Sequence, residues 1–152
     1  MKRILYIDMD NVIVDFVSGI NRLSREIQQE YEGRLDDVPG IFSLMDPMPG
    51  AIESVTRLNA TFDTYVLSTA PWANPSAWSD KVKWIQTHFG TDRTAPLHKR
   101  LILTHHKNLN HGDFLIDDRK KNGADRFPGV HIHFGQPEWP DWDSVTSYLM
   151  SI

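Results

Sequence analysis

Residues 3–12 read Arg3-Ile4-Leu5-Tyr6-Ile7-Asp8-Met9-Asp10-Asn11-Val12, an apolar run that stops abruptly at a carboxylate. So short and apolar a run fits a strand buried in a sheet, with Asp8 delivered to the sheet edge. Two more carboxylates stand in a comparable place further on, where Phe114-Leu115-Ile116 runs into Asp117-Asp118. Between them, Thr64 to Leu67 is β-branched and apolar and ends in Ser68-Thr69, Leu101 to Thr104 reads as a short strand, and Val130 to Phe134 as another.

Helical signals alternate with these strands. Val12, Phe16, Ile20, Leu23 and Ile27 recur at spacings of three and four, which predicts one amphipathic helix. Ala51, Ile52, Val55 and Leu58 follow Pro49, and Trp78, Val82, Ile85 and Phe89 form a stripe closed by Gly90. A last helix is expected near Ser144 to Met150. Strand and helix in alternation predict an α/β fold with a mostly parallel sheet, whose ligands bind beyond the carboxyl ends of the strands. Asp8, Ser68 and Asp117 all fall at such ends. Residues 1–152 are expected to form one domain, with a small insertion at about 16–48 lying over the sheet edge.

Composition sets limits on function. With 152 residues, 40% hydrophobic and 24% charged, the chain has enough apolar surface for one core and no sign of general disorder. No apolar stretch approaches the roughly 20 residues that span a bilayer, and Asp8 and Asp10 interrupt the N-terminal run before it could form a signal-peptide core. A cytoplasmic location is the expectation. There is no cysteine, hence no disulfide or thiolate metal site. A net charge of -4, with Lys and Arg dispersed except in clusters such as Arg119-Lys120-Lys121, argues against binding long nucleic acid and leaves room for a small anion bound by a few local donors.

Asp8-x-Asp10 taken alone is equally well a polar strand end that caps the next helix. Asp117-Asp118 shifts the balance, because four acids at two strand ends repel one another and call for a cation. Mg²⁺ suits such hard oxygen ligands. Ser68, Thr69 and Lys107 taken singly are common turn and surface residues. His131-x-His133 and the other histidines match no recognised zinc spacing and read as surface or packing groups.

Taken in order, Asp8-x-Asp10, Ser68-Thr69, Lys107 and Asp117-Asp118 resemble the four motifs of the haloacid-dehalogenase superfamily, over a span from Ile4 to Asp118. Within it, ILYIDMDNVIVDF, PMPGAIESVTRL, VLSTAPW, KVKWIQTHFG and DFLIDDR look like the 5'(3')-deoxyribonucleotidase family. The resemblance implies a Rossmann-like fold and a Mg²⁺-dependent phosphomonoesterase acting on a small nucleotide. Asp8 would be the nucleophile that forms an aspartyl-phosphate, and Asp10 the acid and then the base. The Asp8 carboxylate, the Asp10 carbonyl and Asp117 would hold the metal, supported by Asp118. Ser68 or Thr69 and Lys107 would hold phosphoryl oxygens.

Lys81 aligns with a second family lysine near the phosphate, and reads equally well as a solvated residue opposite the Trp78 stripe. Asn11 replaces the glycine usual after the second acid, a change tolerated by a left-handed backbone. Phe16, Phe42 and Trp72 are candidates for the substrate pocket, with core packing as the competing role for the phenylalanines. Another small phosphomonoester, such as a sugar phosphate, and nucleotide binding without catalysis are the alternative functions.

Overall fold

The computed structural model describes residues 1–152. Strands β1 (Ile4–Ile7), β4 (Asp63–Ser68), β5 (Leu101–Leu103), β6 (Phe114–Asp117) and β7 (Val130–His133) form one parallel sheet in the order β5-β4-β1-β6-β7. The chain winds outward from β1 to β4 and β5, then returns to the other side of β1 as β6. Strand order therefore reverses between β1 and β6, and a crevice opens there at their carboxyl ends. Asp8 follows β1 directly and Asp117 closes β6, so the topology brings two acid pairs 109 positions apart in sequence to one edge.

Leu5 and Ile7 project to one face of β1 and Tyr6 to the other, as the period of two requires. The first face joins the large core with Phe62, Val66, Phe114, Ile116, Ile132, Val145 and Leu149. Tyr6 joins a smaller cluster with Leu67, Leu115, Ala124 and Phe127. Helices α3 (Ala51–Thr61), α4 (Pro75–Phe89) and α5 (Trp142–Ser151) flank the sheet. No helix is long and apolar enough to cross a membrane.

The segment after Asp10 departs from the expected single helix. A two-stranded antiparallel ribbon, β2 (Val14–Asp15) with β3 (Asp46–Pro47), comes first. Between its strands lie α1 (Phe16–Ile20), α2 (Arg25–Glu30) and two 3-10 turns at Leu35–Asp37 and Ile41–Leu44. The helix is split by its own capping residues. Asp15 accepts a bond from Ser18 N and starts α1, while Ser24 accepts one from Ile27 N and starts α2. Ile27, the last residue of the predicted stripe, is exposed. Gly19 lets α1 press onto Met45, whose Cγ a β-carbon there would approach to 2.7 Å.

This excursion is fastened to α4. The buried Asn74 amide donates to the carbonyls of Asp36 (2.9 Å) and Val38 (3.0 Å), and Trp84 Nε1 donates to Met45 O at 2.9 Å. The buried face of α4 is Ala77, Lys81, Trp84, Ile85 and Phe89, so the predicted stripe is rotated. Val82 is outside and Lys81 inside. The reading of Lys81 as a solvated group is thereby corrected: a polar pocket behind the sheet edge supplies what water would.

The turn from Asp10 into β2 is tight. Met9 O accepts from the amides of Val12 (3.1 Å), Ile13 (3.0 Å) and Val14 (2.9 Å), and Asn11 takes φ +60° to allow it. Asn11 is exposed, so packing does not mask the backbone effect. Asn11→Val is expected to cost about 1–2 kcal/mol in chemical denaturation, because a β-branched side chain is disfavoured in the left-handed region that Asn tolerates, whereas Asn11→Gly should leave stability within about 0.5 kcal/mol.

Candidate active site

Each acid arrives by its strand. β1 carries Asp8 to the edge, 5% exposed, and β6 carries Asp117, 2% exposed. Asp8 N donates to Ile116 O at 2.9 Å, which locks the two strand ends together. Asp8, Asp117 and Asp118 each offer a carboxylate oxygen within 4.8 Å of the others.

Lys107 supplies the first counter-charge. Its Nζ lies 3.0 Å from Asp8 Oδ1 and 2.6 Å from Asp117 Oδ2, and its backbone N donates to Asn122 O at 2.8 Å. Burial pulls the Lys107 ammonium down, but Asp8 and Asp117 outweigh it and hold the pKa above the ordinary value. Asp117 is nonetheless pushed up to about 7, first by burial and then by Asp8, against the pull of Lys107. Asp118 rises to about 6 for the same two leading reasons. One ammonium thus leaves the acids undercompensated, and Asp118 Oδ1 is buried without a hydrogen-bond partner. An orphaned hard oxygen beside two further carboxylates fits a divalent cation.

Lys81 supplies the second counter-charge, from behind. Its fully buried Nζ reaches Asp10 Oδ2 (3.1 Å), Ser68 Oγ (2.8 Å) and Thr69 O (3.1 Å). The Phe42 ring lies under it, 4.7 Å from the centroid. An ammonium buried so fully would cost several kcal/mol if unpaired, so these partners are obligatory for it. Burial raises the Asp10 pKa although Lys81 opposes the shift, and Asp10 Oδ1 is buried without a partner.

The acids open into a small cleft lined by Asp8, Asp10, Thr69, Lys107, Asp117, Arg119, Lys121 and Asn122, with no hydrophobic residue among them. Of the two hydroxyls expected to meet phosphate, Thr69 borders the cleft, with its Oγ1 donating to Thr104 O at 2.8 Å. Ser68 is fully buried and held by Lys81, and neither of these two lines the cleft.

The aromatic candidates stand apart from the cleft. Phe42 is buried and meets Phe16 edge to face with centroids 5.9 Å apart. Trp72 is 82% exposed beside the edge of His105. Arg119, Lys121 and Asn122 were not marked as site residues by the sequence motifs. Their signal was the Asn122-Gly123 pair, a turn marker: Asn122 (φ +55°) and Gly123 (φ +84°) fold the basic segment back over Lys107.

A family model described as "5' nucleotidase, deoxy (Pyrimidine), cytosolic type C protein" matches residues 29–143. A protein of Vibrio phage KVP40 named as a 5'(3')-deoxyribonucleotidase is 57% identical over 150 residues, covering 99% of this chain and 86% of the relative, so its match takes in the first acid motif. The human 5'(3')-deoxyribonucleotidase of cytosolic type is 28% identical, covering 91% of this chain and 76% of its own length. Among solved structures, the Bacillus subtilis HAD-hydrolase YfnB, described as bound to magnesium, superposes with a TM-score of 0.60 at 12% identity, covering 97% of this chain and 98% of that one. A haloacid-dehalogenase-like hydrolase of Xanthomonas campestris gives 0.55 at 9% identity, covering 99% and 95%.

The raised acids have a pH signature. Asp118 releases its proton near 3.8 when unfolded and near 6 when folded, so its contribution to stability is present below 3.8 and lost as pH rises through about 6. Burial shifts His88 and His131 down, which makes stability rise with pH over part of the same window. The difference between variants isolates the acid. In EDTA, Asp118→Asn should melt above the parent by a margin that widens from pH 5 to 7.5. Added Mg²⁺ should narrow or reverse that margin by stabilising the parent more, as differential scanning fluorimetry would read.

Proposed function

Because the chain belongs to the 5'(3')-deoxyribonucleotidase family of haloacid-dehalogenase hydrolases, we propose that it is a cytoplasmic nucleotidase that removes the phosphate of a deoxyribonucleoside monophosphate through Asp8. The observation that carries the reading is the arrangement of Asp8 and Asp10 on one cleft, each with its own buried lysine.

In the first step a carboxylate oxygen of Asp8 bonds to phosphorus as the bond to the nucleoside oxygen breaks. Asp10, whose pKa burial raises, gives that oxygen its proton. In the second step Asp10 takes a proton from water, the water oxygen bonds to phosphorus, and the Asp8–phosphorus bond breaks to release inorganic phosphate. Lys81 fixes Asp10 through Oδ2 and leaves Oδ1 for both proton transfers. Lys107 holds Asp8 and Asp117 in register. Thr69, Arg119 and Lys121 border the place where phosphoryl charge collects, with Ser68 bracing Lys81 from below. Asp8, the Asp10 carbonyl and Asp117, with Asp118 in support, would hold Mg²⁺, which would supply charge neutralisation of the acids and Lewis-acid polarisation of the phosphoryl group.

The segment at about 16–48 acts in this reading as a small cap. Trp72 and Phe16 offer ring surface for a base, while Phe42 is occupied with packing and with Lys81. A second reading, another small phosphomonoester, draws on one observation: no aromatic ring borders the cleft itself.

Phosphate release from a panel of deoxy- and ribonucleoside 5'- and 3'-monophosphates and sugar phosphates separates the readings. Expected are turnover that favours deoxynucleotides, its loss in EDTA, and a fall of at least about a thousandfold in Asp8→Asn. Turnover of sugar phosphates alone would replace the substrate and keep the chemistry. No turnover of any compound would refute the catalytic reading.

A further inference from the structure

His131 and His133 project from the same face of β7, with rings stacked at a centroid distance of 5.3 Å and 20° between their planes. β7 runs parallel to β6 and sets His133 opposite Asp117. Both rings reach forward to the acid pair. His131 Nε2 lies 3.1 Å from the Asp117 carbonyl oxygen, and His133 Nε2 lies 2.8 Å from the Asp118 carbonyl oxygen. A carbonyl only accepts, so each Nε2 carries the proton and donates.

The two bonds differ in weight. Asp117 O already receives Phe134 N of the strand ladder at 3.0 Å, so His131 adds a second donor. Asp118 stands one residue beyond β6, where the ladder has run out, and His133 is the donor its carbonyl finds. That carbonyl shares a peptide plane with the Arg119 N–H, which donates to Asp117 Oδ1 at 3.0 Å. The other oxygen of Asp117 is taken by Lys107. A single rigid peptide therefore ties the His133 ring to the orientation of the Asp117 carboxylate and to the backbone that carries Asp118.

We infer that His133, backed by His131, is a positioning residue for cation binding: its ring N–H fixes the Asp118–Arg119 peptide and so aims Asp117 and Asp118 at the ion. This rests on the cation-dependent reading given above. Outer partners that orient metal ligands elsewhere change metal affinity by roughly 10–100-fold when removed.

Two polar replacements test it while sparing the fold. Glutamine places an amide N–H near the position of Nε2. Asparagine is shorter and leaves the carbonyl out of reach. Mg²⁺ is titrated calorimetrically into the metal-free parent, His133→Gln, His133→Asn and His131→Asn, with melting temperatures measured in EDTA.

Expected is Mg²⁺ affinity about tenfold weaker in His133→Asn, within about threefold of the parent in His133→Gln, and only mildly affected in His131→Asn. Parent-like affinity in His133→Asn overturns the inference, as does an equal loss in His133→Gln and His133→Asn that tracks melting temperature. If the parent itself binds no Mg²⁺, the cation reading fails and the inference with it, a result distinct from either of those.

Discussion

Crowded charge at the carboxyl ends of β1 and β6 is the constraint around which the molecule is arranged. Asp8, Asp10, Asp117 and Asp118 meet where strand order reverses, and two of them are almost wholly buried. Taking an ion out of water costs several kcal/mol after relaxation. The fold meets that cost with Lys107 between Asp8 and Asp117 and Lys81 beneath Asp10. The pKa values of Asp117 and Asp118, raised to about 7 and 6, show that the compensation is incomplete. Such a site is poised to gain free energy from a bound cation.

The demands of the two lysines propagate outward. Lys81 reaches Asp10 only because α4 turns its Lys81 edge inward and leaves Val82 in solvent. That rotation places Trp84 against Met45 O and Asn74 against the carbonyls of Asp36 and Val38, which fastens the excursion between β2 and β3 to the same helix. The Phe42 ring under Lys81 closes the link, since a ring face attracts a desolvated ammonium. Packing of the excursion and the charge state of the site are thus one structural problem. Lys107 is coupled in turn to the basic turn at Arg119 to Gly123 through Asn122 O.

Strand ends were legible in the sequence because a buried parallel strand is a continuous apolar run, and a carboxylate or hydroxyl after it marks where burial stops. Asp8, Ser68 and Asp117 were found that way. The single helix expected after Val12 does not form because its three- and four-residue spacing also serves a ribbon strand and two short capped helices, and Asp15 and Ser24 compete for the backbone amides. Lys81 could not be placed, since a lysine on a helix is ordinarily solvated. Nothing local tells that Asp10, Ser68 and Thr69 wait on its side.

The sequence by itself determined the alternation of strands and helices, the acids and hydroxyls that follow the strands, and, through their order, the family. These are properties of neighbours in the chain, and apolar periodicity and motif spacing record them. Tertiary structure alone decided which lysine borders the cleft and which lies behind it, that Thr69 and not Ser68 faces the opening, and that the ladder ends one residue short of Asp118, so that a histidine from β7 completes it. Each depends on register and burial between segments tens of residues apart, and the sign of a side chain's contribution is set there: the same ammonium is idle in water and indispensable beside a buried carboxylate.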